Sequence, residues 1–328
     1  MRKLASVQQI QTLTPIINAD RIECASVLGW TVVVNKGAFA VGDRCVFFEV
    51  DALLPEAPWS EFMREAKFRV KTCKKRGQIS QGLALPLSVF ADVEGISDSI
   101  PEATDVSLVL GVTKYEPPEA SGGTLLGTGP FPGFIPKTDE ERVQSAPHLL
   151  AALQGRPYVI TVKLDGSSMT ASWTPDEEFV VCSRNNRLDP DGAGKYGMVA
   201  TRLKLKEALE GTSWALQGEL CGPGIQKNRL GLKESSFFVF NAFDWKTGNY
   251  VSHHDLMDFC AAHSIPTVPE EEQGASFDCS QEDLLAKAEG CYKDTPNRRE
   301  GIVIKTLGSG PRFSFKAISN QFLLKDED

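Results

Sequence analysis

The 328-residue sequence predicts an α+β chain in two parts, a small β-barrel followed by a domain in which strands and helices alternate. Three observations carry this. Short β-rich segments broken by turns run from Ala5 to about Asp92. A Gly- and Pro-rich stretch then interrupts the pattern, and beyond it strand-like and helix-like segments take turns to the C terminus. The expected domains are 1–115 and 136–328, with 116–135 as linker.

In the first part, 22–27, 31–34 and 45–50 are β-rich, and Lys36-Gly37 and Val41-Gly42-Asp43 are turn signals. Residues 67–77 hold six basic side chains and no acidic one. Lys67, Arg69 and Lys71 alternate with Phe68 and Val70, so a strand here would put three cations on one face. About five short strands in so few residues suit a small barrel, of which the OB-fold is the commonest nucleic-acid-binding version. Pro117-Pro118, Ser121-Gly122-Gly123 and the glycines and prolines from Gly127 to Gly133 read as linker. Thr138-Asp139-Glu140-Glu141 reads as a helix start, with Thr138 as cap and Glu141 three residues on. Strands are expected at 158–164, 179–182, 214–219, 237–243 and 301–306, and helices at 197–210, 254–263 and 281–289.

Composition narrows the class. The chain is 41% hydrophobic and 24% charged, as in an ordinary globular protein, and no apolar run is long enough to span a bilayer. The first residues lack a signal-peptide core, so an intracellular, cytoplasmic protein is expected, acting as a monomer. Eight scattered cysteines without a Cys-x-x-Cys pair, and four histidines, exclude a clustered zinc site and read as reduced thiols. Net charge −8 argues against indiscriminate binding to polyanions. Salt screens fields beyond about 10 Å, so the basic run can still hold one locally.

The most informative stretch is Tyr158–Ser168, where a β-branched strand ends in Lys163-Leu164-Asp165-Gly166. Alone, Lys-x-Asp-Gly is a weak pattern that strand ends produce by chance. It has companions in Ser183-Arg184-Asn185, Gln217-Gly218-Glu219, the 238–244 strand, Arg299-Glu300-Gly301 with Lys305, and Ser314-Phe315-Lys316-Ala317. In order and spacing this set resembles the covalent nucleotidyltransferase superfamily of DNA ligases, RNA ligases and mRNA-capping enzymes. The amino-terminal segment resembles the OB domain that precedes the catalytic domain in one family of ATP-dependent RNA ligases. The chain stops about a dozen residues beyond Lys316, so no barrel is expected after the catalytic domain.

The resemblance implies an ATP-grasp-like domain of antiparallel sheets with helices, and a three-step reaction. Lys163 takes AMP from ATP, AMP passes to a 5′-phosphate end, and a 3′-hydroxyl displaces it. An ordinary lysine is neutral in only about one molecule in a few thousand at pH 7, so nearby cations should lower its pKa by around 3 units. Lys305, Lys316 and a divalent metal are the expected cations. The resemblance assigns Asp165 to orient ribose, lysine or metal-bound water. Arg184 and Val162 line the nucleotide, Phe240 stacks on adenine, and Glu219 and Glu300 hold Mg²⁺ or Mn²⁺. Strand alternation sends Phe240 and Ala242 to one face and Asn241 and Phe243 to the other, making Phe243 the core residue. In the last motif Ile318 stands where many ligases carry a second lysine.

The expected partner is RNA, its strand ends in a nicked duplex, gripped by Lys67, Arg69, Lys71, Lys74, Lys75 and Arg76; the alternative for these six is a solvated strand face. Three other readings stay open: a DNA ligase, a capping guanylyltransferase, or a non-catalytic RNA-binding adaptor.

Overall fold

In a computed structural model of the chain, residues 2–115, 127–189, 194–307 and 312–325 are described. They fall into two compact units. One takes residues up to 115 with Val143–Pro147 and 323–325; the other takes 127–142 and 148–322.

The first unit is built on Ala5–Pro15 (β1), Ile22–Val27 (β2), Trp30–Asn35 (β3) and Arg44–Phe48 (β4). Ala52–Leu53 (β5), Thr72–Lys75 (β6), Gln78–Gln81 (β7), Leu83–Pro86 (β8) and Thr113–Lys114 (β9) complete it. Its main sheet has the order β3-β2-β1-β4-β8. Side chains alternate across the sheet, so one set (Val7, Val46, Phe48) joins Phe90 and Val106, and the other (Ile10, Cys45, Phe47) joins Trp30.

The basic run departs from expectation. A 3-10 helix, Pro58–Ala66, ends with Lys67 and Phe68 both left-handed, at φ 51° and 58°. Two such residues cannot continue a strand. The cations at 67, 69 and 71 therefore share no strand face. The strand begins only at Thr72 and forms a hairpin with β7 through Arg76-Gly77, both at positive φ, as a two-residue hairpin turn requires. Lys67, Lys74, Lys75 and Arg76 are exposed, whereas Lys71 is half-buried. Arg69 is spent within the unit, with Asp51 at 2.8 Å and its guanidinium 3.9 Å from the Tyr115 ring centroid.

The second unit holds two sheets. The larger runs β10-β15-β14-β13-β16-β17-β18. It comprises Gly127–Pro130 (β10), Ser167–Trp173 (β13), Phe179–Cys182 (β14), Asn186–Leu188 (β15), Trp214–Cys221 (β16), Ser236–Asp244 (β17) and Asn249–Tyr250 (β18). The smaller runs β11-β21-β20-β12-β19. Its strands are Glu141–Arg142 (β11), Tyr158–Lys163 (β12), Glu270–Gly274 (β19), Gly301–Thr306 (β20) and Ser314–Ile318 (β21), all antiparallel except β11 with β21.

One face of the larger sheet, with Met169, Leu216, Leu220, Phe237 and Val239, packs against Val199, Leu205, Leu209 and Leu256. These come from Gly194–Arg202 (α2), Leu205–Ala208 (α3), the residue after it, and His253–Ala262 (α4). Pro147–Leu153 (α1), Gln281–Ala288 (α5) and Asn320–Lys325 (α6) complete the helices.

Two expectations fail here. Gly127–Pro130 is an edge strand rather than linker, while Pro117-Pro118 and Ser121-Gly122-Gly123 lie outside the described residues. Thr138 caps no helix. Asp139 and Glu140, which would favour a helix N terminus, are drawn instead to Arg184 and Arg312, and Glu141–Arg142 pairs with β21.

Candidate active site

The register of the smaller sheet places three lysines on one face. Lys163 lies opposite Gly301, Thr161 opposite Val303, and Val159 opposite Lys305. Val303 in turn faces Lys316, and Lys305 faces Ser314. Directly paired residues share a face, and so do residues two apart, which puts Lys163, Lys305 and Lys316 on the same side.

Lys163 ends β12. Its Nζ lies 2.7 Å from Glu300 Oε2, with about a fifth of each side chain exposed. Burial pulls this amine down, but Glu300, Glu219 and Asp165 together more than offset it, so Lys163 holds its proton more tightly than usual. The expected lowering called on a divalent metal as well as Lys305 and Lys316, and these three carboxylates act against it. Lys305 stands four residues along β20 from Gly301, so its backbone is roughly 13 Å away. Carboxylates, not lysines, are the charged neighbours that act on Lys163.

Burial pushes Glu219 up to about 8; Lys163 opposes this, Glu300 and Asp165 add to it, and the Gly166 amide stabilises the charge. That amide comes close because Gly166 lacks a side chain: a Cβ there would lie 2.5 Å from the Leu220 carbonyl and 2.8 Å from Glu219 Cγ. The glycine of Lys-x-Asp-Gly is thus fixed by packing against β16. Asp165 Oδ2 receives Arg229 Nε at 3.0 Å, and the Arg229 guanidinium lies 4.7 Å from the Phe322 ring.

A second cluster surrounds Lys305, which is 6% exposed. Its Nζ donates to the Phe240 carbonyl at 2.6 Å and to Asn241 Oδ1 at 2.9 Å, and lies 5.6 Å from the Phe240 ring centroid. Burial, then Arg312, lowers its pKa to about 7 against a small pull from Glu140. Arg312 pairs with Glu140 at 2.8 Å and stacks over Tyr250 at 4.1 Å.

Phe240 owes its position to a β-bulge. Gln217 faces Asn241, but Gly218 faces Val239, leaving Phe240 as the extra residue in β17. The expected alternation therefore breaks. Ala242 turns into the core with Phe237 and Val239, while Phe240 stays partly exposed beside Lys305. Phe243 is not in that core either, but packs edge-on to Tyr250.

The structure thus gathers Lys163, Asp165, Glu219 and Glu300 in one cluster, and Phe240 and Lys305 in another on the Lys316 side of the sheet. Val162 is buried with Leu164, Cys221, Val268 and Tyr292. Arg184 is held by both carboxylate oxygens of Asp139, and Lys137 by Asn185. Arg229, Arg312 and Tyr292 escaped the sequence reading. Tyr292 and Arg229 lie outside every motif, and Arg312 lies just before the last one, so only the fold reveals them.

Comparison with known proteins agrees with this geometry. A family model described as an OB-fold domain matches residues 4–87, and one described as RNA ligase matches 156–318. No curated protein sequence matches the chain. Among solved structures, Naegleria gruberi RNA ligase with PPi is 36% identical, with TM-score 0.91 and 100% of each chain covered. A lysine-to-alanine variant of that ligase with ATP and Mn is 35% identical over 98% of each chain, with TM-score 0.90. A glutamate-to-alanine variant with AMP and Mn gives the same identity, coverage and score. Similarity of this extent over the entire length, with an RNA ligase model across the second unit, places the chain in the RNA ligase family.

Proposed function

We propose that this RNA ligase uses ATP to join 3′-hydroxyl and 5′-phosphate RNA ends through AMP bonded to Lys163, in repair of nicked duplexes. The observation that carries this reading is Lys163 at a strand end, in contact with Glu300 and near Glu219, on the sheet face that also bears Lys305 and Lys316. The relative's complexes with ATP and Mn, AMP and Mn, and PPi support the same nucleotide and metal here.

The residues fit a divalent cation of the Mg²⁺ or Mn²⁺ type. Glu219 and Glu300 offer oxygen donors, and Glu219 lies beside two other carboxylates that a cation would offset. Among the described residues no three such side chains converge closely enough to hold an ion by themselves, so water and phosphate oxygens would complete the shell, as such ions prefer. Bound there, the ion would neutralise phosphate charge.

In the first step Lys163 Nζ, having released one proton to solvent, bonds to the α-phosphorus, and the bond from that phosphorus to the pyrophosphate oxygen breaks. Lys316 neutralises the departing charge, joined by Lys305 as the triphosphate beside it draws a proton onto its amine. Phe240 offers its ring to adenine. In the second step a 5′-phosphate oxygen replaces Nζ on the AMP phosphorus. In the third, the 3′-hydroxyl attacks the 5′-phosphorus, loses its proton, and AMP leaves. The exposed cations Lys67, Lys74, Lys75 and Arg76 contact the RNA backbone.

The test is incubation with α-labelled ATP and Mn²⁺, then mapping of the acid-labile adduct by mass spectrometry. Label on Lys163 and sealing of nicked RNA duplexes are expected. An adduct on another residue refutes the assignment; GTP labelling points to a guanylyltransferase, and faster sealing of all-DNA nicks to a DNA ligase.

A further inference from the structure

Tyr292 sits in the loop between α5 and β20, 5% exposed, packed with Val162, Leu164, Cys221 and Val268. The loop is braced locally: Tyr292 N donates to the Asn297 carbonyl and Thr295 N to the Tyr292 carbonyl. Asn297 Nδ2 also donates to the carbonyl of Arg229, the partner of Asp165.

The ring alone would satisfy packing, and phenylalanine would serve for that. What sets this residue apart is the use of its hydroxyl. The hydroxyl donates to the Lys163 carbonyl at 3.1 Å and accepts from the Asp165 amide at 3.0 Å and the Glu300 amide at 3.1 Å. A phenol has one proton to give and two lone pairs. All three are taken by main-chain atoms of residues in the Lys163 cluster. Lys163 ends β12 and Glu300 precedes β20, so one oxygen spans the point where the two strands part.

We infer that Tyr292 is a positioning residue for nucleotide transfer, its hydroxyl fixing the main chain of Lys163, Asp165 and Glu300 relative to one another. It touches no reacting atom. A catalytic group displaced by a fraction of an ångström loses much of its rate, so the hydroxyl should act on the transfer step more than on ATP binding. The inference rests on the reading of Lys163 as the adenylylated residue.

The test is Tyr292→Phe in the full chain, in single-turnover labelling with ATP and Mn²⁺ alongside wild type. The expected result is a rate constant at saturating ATP lower by roughly 10- to 100-fold, the range seen when supporting hydrogen bonds are removed. The half-saturating ATP concentration should stay within about twofold, and the final labelled fraction should match wild type. A purely structural role would instead lower the labelled fraction and leave the rate constant alone, and that outcome overturns the inference, as does an unchanged rate constant. If the variant does not fold, hydrogen exchange in the wild-type chain decides: slow exchange at the Asp165 and Glu300 amides upholds the inference and fast exchange rejects it. Absence of label on wild-type Lys163 would count against the proposed function itself, so the two failures are told apart.

Discussion

Lys163 and Lys305 share one sheet face, and both are largely withdrawn from water, yet they hold their protons oppositely. Lys163 is ringed by carboxylates and binds its proton more tightly than a free lysine. Lys305 faces a carbonyl, an amide oxygen and a neighbouring arginine, and its pKa falls to about 7. Burial penalises the charge of both, so partners decide the outcome. Lys163, the residue proposed to take AMP, is therefore the one of the two that holds its charge.

The largest effect that sharpens this contrast is Lys163→Ala, which should reduce ATP-dependent labelling to background, whereas Lys305→Ala should leave measurable label at a rate lower by about 100-fold. Equal residual labelling in gel autoradiography would erase the distinction between the two. Next comes Glu219→Gln. Removing a carboxylate from the Lys163 cluster should slow labelling by about 100-fold, with a smaller change in melting temperature, read by single turnover and calorimetry.

The third test uses pH. The folded protein holds Lys305 near 7, and its unfolded value is near 10.5, so between these limits the unfolded chain binds more protons and stability should rise with pH. Below about 7 the penalty is complete. Lys305→Met should remove this rise, a difference on the order of a few kcal/mol between the two pH limits in urea unfolding. Identical pH slopes in variant and wild type would mean that Lys305 is not held neutral.

The smallest effects are expected in the other unit. Replacing Lys74, Lys75 and Arg76 together with alanine should flatten the salt dependence of RNA binding by about 0.9 in log–log slope for each phosphate no longer neutralised, and leave Lys163 labelling unchanged. Arg69→Ala should scarcely move that slope, because Asp51 and Tyr115 already occupy its guanidinium.

Much of the architecture was legible because hydrophobic periodicity is local. The strands at Ile22–Val27, Phe179–Cys182 and Gly301–Thr306 and the helix beginning at Gln281 follow from it closely. What failed depended on distant partners. Thr138–Glu141 carries a sound capping pattern, but Arg184 and Arg312 lie 45 and 172 residues away from the acids they claim. The alternation at 67–71 is real as a pattern and is overridden by the left-handed exit of the preceding 3-10 helix. Lys163, Glu219 and Glu300 could be singled out because motifs mark them, while Tyr292 could not, since a lone tyrosine in a loop looks the same whether or not its oxygen meets the strand that carries Lys163.

The bulge in β17 has a consequence for how this pocket can be altered. Taking out Phe240 entirely would leave Val239, Asn241 and Ala242 in unbroken in-out alternation, the arrangement a regular ladder prefers. The strand pairing itself therefore does not call for the surplus residue, and what removal would cost is the carbonyl that receives the buried Lys305 amine.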